Sequence, residues 1–295
     1  MSNKLRKKAW RLLQRIDGVG HSREYCQQHG LVSSLITKKN YHSCTSLYLE
    51  WREFNKLSPH EQDKLTDLNA FIEEMAESSM QKTLDHYRCA LSIVFKKKLA
   101  HVRSEIPSTS KSRNYFLSEI LLIIKNLSDK NALSILLCYF AGLRAHELVT
   151  LRRVDEGQKT TKRIWSPNRF AGIDRFRVYL VKGKGGLVRE VAIPSELAAL
   201  LERHRLDSSI KVCDRGVYYE AYYNLSTGKA LSQAFSRASQ QVLNWSTGLH
   251  GTRHSYAQNR LFRLLDTGVT YDTAMKIVSE ELGHFRPYIT LCYLR

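Results

Sequence analysis

Three stretches of the chain hold side chains suited to phosphate chemistry. Leu249, His250, Gly251, Thr252, Arg253 and His254 run consecutively, Leu282, Gly283 and His284 end thirty residues after His254, and Tyr293 stands nine residues beyond His284. Arg144 lies far upstream, between Gly142 and Glu147. Cutting a phosphodiester without a metal makes three demands. A nucleophile must be activated, the charge on a pentacoordinate phosphorane must be stabilised, and the leaving 5′-oxygen must be protonated. Arginine forks give two parallel charge-assisted bonds to phosphate oxygens and stay charged at any working pH. Fixed donors aimed at developing charge usually supply the largest rate term. Tyrosine, with a free pKa of about 10, is a poor nucleophile unless positive charge or a base stands beside it. Two arginines, two or three histidines and one tyrosine are the set that such a reaction needs.

Each position also has an ordinary reading. Arg144 follows a glycine that ends an apolar helix, and alone it reads as a solvated arginine in a helix–helix turn; Glu147, three residues on, is spaced to pair with it across one turn. His146 and Glu147 do not open a zinc-protease motif, because Thr150 stands where the second histidine belongs. His250 and Arg253 are at i and i+3, on one helix face near its first turn, where unpaired N–H groups and the positive dipole end favour phosphate. His254 shares that face and is read as a packed residue, since a zinc motif's glutamate is missing at Gly251 and no third ligand follows. No metal site is expected. His284 sits in a helix-end glycine turn before Pro287, placed to bond a nonbridging phosphate oxygen; a surface histidine at a helix C-terminus would look the same. Among fifteen tyrosines, position alone selects Tyr293, one short helix after the His284 turn. Tyr288 competes with it but reads better as packing near Pro287, and Cys292 also reads as packing. Lys184, at the tip of the glycine-rich turn from Lys182 to Gly186, can give a proton to a leaving alkoxide, and spacing does not separate it from Lys182.

These side chains need elements to hold them. A chain of 295 residues has room for two domains with separate cores. Residues 4–28 read as a basic helical segment broken around residues 17–20, and Trp10, Leu12, Leu13 and Ile16 give it an apolar face. That face favours a helix of the first domain over a separate DNA-binding arm. Residues 38–55 carry Tyr41, Leu47, Tyr48, Trp51 and Phe54 at the spacing of one apolar helix face, Leu57 to Pro59 signal a helix start, and residues 67–75 and 81–98 complete the helices, ending in Lys96, Lys97 and Lys98. The polar, aperiodic residues 103–113 mark the interdomain connection, so the domains run 1–105 and 114–295 with a linker at 106–113. Lys111 and Arg113 in it suit a strap across a phosphate backbone, as well as they suit a solvated linker. Helical patterns occupy 118–124 and 132–141, strands joined by the glycine turn occupy 176–181 and 188–193, and helices resume at Ser195, Leu231, Leu249, Tyr271 and Pro287. The fold class is therefore mainly α, with one small antiparallel β-sheet, in two domains.

Composition points to the partner. The formal net charge is +18, an excess that an acidic polymer or surface must offset. Nucleic acid is favoured over membrane, because the best apolar stretch, Ala132 to Leu143, is too short to span a bilayer. The basic N-terminus is not followed by an apolar signal region, so a cytoplasmic, nucleoid-associated protein is expected. The six cysteines include no CxxC pair and read as free, buried or half-buried thiols in a reducing compartment.

In these motifs and their order the chain resembles the tyrosine recombinases, the phage integrase family, across nearly its whole length. The resemblance implies that Arg144 and Arg253 are the two catalytic arginines, Glu147 the acidic residue supporting the first, His250 an acid/base partner, His284 the His/Trp position, Lys184 the hairpin lysine that protonates the 5′-oxygen, and Tyr293 the nucleophile. It further implies a C-shaped clamp on double-stranded DNA with a helical core-binding domain, a 3′-phosphotyrosyl intermediate, a Holliday junction and a homotetramer on two specific sites, in a mobile-element setting and with accessory DNA-bending factors as further partners. No cofactor, metal or nucleotide is implied. Lys96, Lys97, Lys98, Lys111, Arg113 and Lys182 are the expected DNA-backbone contacts.

Two features depart from the family pattern. Only Leu294 and Arg295 follow Tyr293, where many members have a further exchanged helix; absence of that exchange, exchange of the tyrosine helix itself and a shortened chain all fit. Residues 156–175 form a long segment before the hairpin, either a DNA-contacting loop or a longer connection. Two other functions compete with integrase-type recombination. One is the same chemistry with another outcome, as in a type IB topoisomerase or a hairpin-forming resolvase. The other is a non-enzymatic helical DNA-binding protein, for which Tyr293→Phe would change nothing.

Overall fold

The computed structural model describes residues 3–57, 63–107, 112–183, 186–214 and 217–294. The chain divides into two compact units, Met1–Thr109 and Ser110–Arg295.

The first unit is helical throughout its regular elements: α1 (Asn3–Gln14), α2 (Arg23–Gln28), α3 (Leu35–Phe54), α4 (Leu65–Ser78) and α5 (Gln81–Phe95). Serines start two of them. The hydroxyl of Ser22 accepts from the Tyr25 N–H at the head of α2, and that of Ser34 accepts from the Thr37 N–H at the head of α3. The core takes Leu13 from α1, Tyr41 and Tyr48 from α3, Leu68 and Phe71 from α4, and Leu84 and Leu91 from α5. Each such side chain, fully buried, stabilises the unit by about 1.5–3 kcal/mol. The apolar face expected of the first helix is correct for Leu13 and Ile16, which are buried, but Trp10 is 41% exposed. Its ring meets the edge of His42 and lies under the Lys38 ammonium at 4.8 Å. α5 stops at Lys96, which takes a left-handed conformation (φ 53°), and the Lys97 ammonium donates to the Asp63 carbonyl. The helix-start signal at Leu57 runs into residues 58–62, outside the described residues; the next helix begins at Leu65.

The second unit contains α6 (Leu117–Ile124), α7 (Asp129–Ala141), a 3₁₀ turn (Glu147–Thr150), β1 (Arg152–Arg153), β2 (Phe176–Lys182), β3 (Val188–Pro194), α8 (Ser195–Arg203), β4 (Arg205–Asp214), β5 (Val217–Tyr223), α9 (Gly228–Leu243), α10 (Gly251–Asp266), α11 (Tyr271–Glu281) and α12 (Pro287–Thr290). β1, β2 and β3 form an antiparallel sheet in that order, with Lys182 opposite Val188 across the hairpin. The expectation of a single sheet needs correction. β4 and β5 form a second antiparallel hairpin, with a register shift between Arg205 and Ile210. One apolar cluster joins α6, α7, α8, α9 and the inner faces of β2 and β3; another joins α10, α11 and Tyr293.

The long segment before the hairpin is a folded connection. The Thr160 N–H donates to the Val188 carbonyl at 2.9 Å, extending the edge of β3. The N–H groups of Ser166 and Phe170 donate to the carboxylates of Glu280 and Glu281 at the end of α11, at 2.6 and 2.9 Å. The Arg169 guanidinium stacks on the Trp165 ring at 4.4 Å. Three of the six cysteines, Cys89, Cys213 and Cys292, are exposed rather than buried or half-buried, and all six are free. Among the described residues no helix is long and apolar enough to cross a membrane.

Candidate active site

Four elements of the second unit deliver the residues singled out above to one place. α7 ends at Ala141, and Gly142 reverses the chain in a left-handed conformation (φ 60°). Only glycine fits there: an added Cβ would lie 2.6 Å from the Tyr256 ring. The reversal presents Arg144, and the Glu147 N–H donates to the Arg144 carbonyl at 2.8 Å to start the 3₁₀ turn. α10 begins immediately after His250 and carries Arg253 and His254 on its first turn. α11 ends at Glu281, and Gly283 (φ 75°) turns the chain to His284. α12 and a following 3₁₀ turn at Leu291–Tyr293 bring Tyr293 back over α10, where Gln258 Nε2 donates to the Tyr293 carbonyl at 3.0 Å.

Glu147 is the electrostatic hub. Its fully buried carboxylate accepts from Arg144 Nη1 at 2.6 Å and from the Arg144 N–H at 2.9 Å. Arg189 Nη2, from β3, donates to Glu147 Oε2 at 2.9 Å, and Arg253 Nη1 stands 3.9 Å from the same oxygen. Burial pushes the Glu147 carboxyl up, but Arg189, Arg253 and Arg144 outweigh it and hold it at about 2. Arg253 is itself fully buried: its Nη1 donates to the Gly142 carbonyl and its Nη2 to the Leu282 carbonyl at 2.8 Å. Three guanidinium groups facing one carboxylate leave an excess of two positive charges. A phosphodiester, which gains negative charge as it is attacked, suits that excess.

Tyr293 closes the cluster. Its side chain is buried, and its hydroxyl lies 3.1 Å from His284 Nε2. The same nitrogen lies 3.3 Å from Arg144 Nη2 and 3.5 Å from Arg253 Nη2. One imidazole lone pair cannot fully satisfy three donors, so the arginines keep hydrogen-bonding capacity for an anion. The rings of His250 and His254 flank Tyr293 at 5.7 and 4.9 Å, and the Arg253 guanidinium lies 5.7 Å from its centre. Removal from water and the neighbouring Arg253 and Arg144 push His284 down to about 4. His250, an exposed residue, is lowered too, by the desolvation that remains and by Arg253 and His254. Both rings are therefore neutral at pH 7 and able to accept a proton.

Arg144, Glu147, His250, Arg253, His284 and Tyr293 are thus together, and His254 is buried beside them as expected. Lys184 and Lys111 lie outside the described residues. The base of the hairpin turn does approach the site, since a Cβ added to Gly183 would stand 3.2 Å from Glu147 Oε1. Lys182 has its backbone N–H fixed to Thr150 Oγ1 at 2.9 Å and its side chain exposed. Arg113 donates to the Thr247 carbonyl at 3.0 Å. Two expectations fail: Tyr288 and Cys292 are not packed. Tyr288 is 64% exposed, within reach of Arg286 at 3.4 Å, and Cys292 is exposed. A one-turn helix such as α12 covers only part of its circumference, so apolar content there does not imply burial. Arg189 was not anticipated. Its signal is parity: on β3 it shares a face with the buried Val191 and Ile193, where a solvated arginine has no place. Among the described residues no group of three or more His, Cys, Asp or Glu side chains is placed to hold a metal ion.

No protein-family model and no curated protein matches the chain. Solved structures do match. The chain is similar to the XerH site-specific recombinase bound to its difH substrate in a pre-cleavage complex, at 15% identity and a TM-score of 0.60 over 99% of this chain and 92% of that one. A post-cleavage complex of XerH on a palindromic difH substrate gives 17% identity and a TM-score of 0.57 over 89% and 77%. A lambda integrase dimer bound to a COC′ core site gives 16% and 0.57 over 96% and 76%. At such identities the likeness is one of fold, and the fold is that of the tyrosine recombinases.

Proposed function

We propose that the protein is a site-specific DNA recombinase of integrase type, which cuts and rejoins DNA strands through Tyr293. One observation carries this reading: a buried tyrosine hydroxyl hydrogen-bonds a neutral histidine inside a cluster of arginines with excess positive charge. In the reaction, Arg144 and Arg253 bind the nonbridging oxygens of the scissile phosphate. The Tyr293 hydroxyl gives up its proton toward a neutral imidazole, His284 or its neighbour His250, and Tyr293 Oη attacks phosphorus. The P–O5′ bond breaks, leaving a 3′-phosphotyrosyl linkage, and the 5′-oxygen takes a proton from Lys184. Attack by a 5′-hydroxyl of the partner strand reverses these steps, yields a Holliday junction and frees Tyr293.

In this reading the second unit holds the catalytic machinery and the first is the core-binding domain. Lys96, Lys97, Lys98, Lys111, Arg113 and Lys182 contact the DNA backbone, and the net charge of +18 supports a polyanionic partner. Two recombination sites require four protomers, with accessory DNA-bending proteins assisting, in the cytoplasm where nucleoid DNA is found.

The test is covalent trapping. Wild type and Tyr293→Phe are incubated in EDTA with fragments of the genome that encodes the protein, and products are run on denaturing gels. A protein–DNA adduct in wild type that is lost in Tyr293→Phe supports the reading, and sequencing the trapped DNA gives the site. Salt-dependent DNA binding without any adduct would move the assignment to a binding protein.

A further inference from the structure

Arg189 is an unusual occupant of β3. Its side chain is almost wholly buried, on the strand face that also carries Val191 and Ile193. A guanidinium removed from water is costly unless it is paired. Only part of Arg189 is satisfied: Nη2 donates to Glu147 Oε2 at 2.9 Å, while Nε and Nη1 find no hydrogen-bond partner among the described residues. Its stem meets a second part of the site. A Cβ added to Gly283 would stand 3.1 Å from Arg189 Cδ and 3.2 Å from Nε, so the glycine before His284 rests directly on Arg189. Arg189 therefore touches the carboxylate that orients Arg144 and the turn that delivers His284.

We propose that Arg189 is a positioning residue: it holds Glu147 as the carboxylate partner of Arg144 and seats the Gly283–His284 turn. This rests on the reading of Arg144, His284 and Tyr293 as strand-cleavage machinery. The charged and titratable groups around Glu147 are Arg144 from its own turn, Arg189 from β3, Arg253 from α10, His284 after α11 and the Cys138 thiol of α7. Of the three arginines that lower the Glu147 carboxyl, Arg189 acts most strongly. Removing one opposite charge at contact distance raises a carboxyl by roughly one to three pH units. Arg189 also helps to lower the His284 imidazole, so without it both Glu147 and His284 take up protons at higher pH, Arg144 is released, and the acid limb of cleavage would move upward. A merely space-filling Arg189 would change stability and leave that limb in place.

The experiment compares wild type, Arg189→Lys and Arg189→Met as full chains, with Arg189→Gln replacing the last if it does not fold. Glutamate carboxyl carbons are labelled with carbon-13 and titrated by NMR, and Glu147→Gln assigns the signal. Arg189→Met should raise the Glu147 titration by roughly one to three pH units, and Arg189→Lys should return most of the shift. In parallel, covalent-adduct rates on the trapped DNA site should fall roughly 10- to 100-fold in Arg189→Met, with DNA affinity unchanged and the acid limb moved up. Arg189→Lys should recover most of that rate. A Glu147 that titrates identically in wild type and Arg189→Met overturns the proposal, as does an acid limb that stays in place. If wild type itself forms no adduct, the recombinase reading fails, and the carboxyl titration still decides what Arg189 does.

Discussion

Glu147→Gln keeps the shape of a fully buried side chain and removes its charge, leaving Arg144, Arg189 and Arg253 to repel one another. The carboxyl is held at about 2 against an ordinary value of 4.5. A depression of that size corresponds to stability on the order of 3 kcal/mol at neutral pH. Removing one member of a buried ion cluster independently suggests about 3–5 kcal/mol. The two routes agree, so the expected loss is about 3–5 kcal/mol, or a melting temperature lower by roughly 6–20 °C. The pH dependence has a definite sign. A carboxyl depressed in the folded state contributes fully above its unfolded value near 4.5 and loses that contribution as pH falls through about 2. The gap between wild type and Glu147→Gln should therefore be constant from pH 7 to 5 and narrow below that. Urea unfolding followed by tryptophan fluorescence, in a Trp10→Phe, Trp51→Phe background, reports the second unit alone through Trp165 and Trp245. Inorganic phosphate gives a further check, because Glu147→Gln raises the excess positive charge of the site and should be stabilised by the anion more than wild type. A gap below about 1 kcal/mol at pH 7, or one that does not narrow between pH 5 and 3, would refute the placement of Glu147 as the charge hub.

Two other outcomes follow from the same geometry. Gly142→Ala combines left-handed strain of about 1–2 kcal/mol with overpacking of about 1–3 kcal/mol, since the Tyr256 ring 2.6 Å away is anchored by its hydrogen bond to Glu281. Gly268→Ala, at φ 80° with open space around the new Cβ, meets the strain alone, so equal losses in urea for the two variants would show that Tyr256 yields freely. His284 is pushed down to about 4 from 6.5, so between those values the unfolded chain binds the proton that the folded chain refuses, and stability falls as pH falls through this window. His284→Asn should flatten the slope of unfolding free energy against pH there without abolishing it, because His250 acts in the same direction; identical slopes would contradict a neutral His284.

Much of the fold was legible because its helices bury one face, and periodicity reports burial. Leu13, Ile16, Tyr41 and Tyr48 lie buried where their spacing puts them, with Leu47 and Trp51 half-buried beside them; Phe54, on the same spacing, is 84% exposed at the last residue of α3, where the face runs past its neighbours. The hairpin of β4 and β5 was not legible for the same reason. Ile210, Val217 and Tyr218 are exposed, and the register shift after Arg205 breaks any alternation. Trp10 and Tyr288 were misjudged because aromatic character was taken for burial, whereas both stay exposed beside a basic side chain or a histidine.

The site divides along a related line. Arg144, His250, Arg253, His284 and Tyr293 could be found from type and order, and the Glu147 partnership with Arg144 from a three-residue spacing. Local spacing, however, says nothing about how many cations one carboxylate must serve. Arg189 reaches Glu147 from a strand 42 residues further on, and Arg253 approaches it from α10. That count sets the chemistry. With Arg144 alone, Glu147 would neutralise the site and leave nothing for a phosphate. With three arginines it becomes a minority charge, strong enough to hold them together and too weak to cancel them. The net charge of the pocket is therefore a property of the tertiary structure and not of any motif, and so is the neutrality of the histidines beside Tyr293, which removal from water sets first and the arginines reinforce.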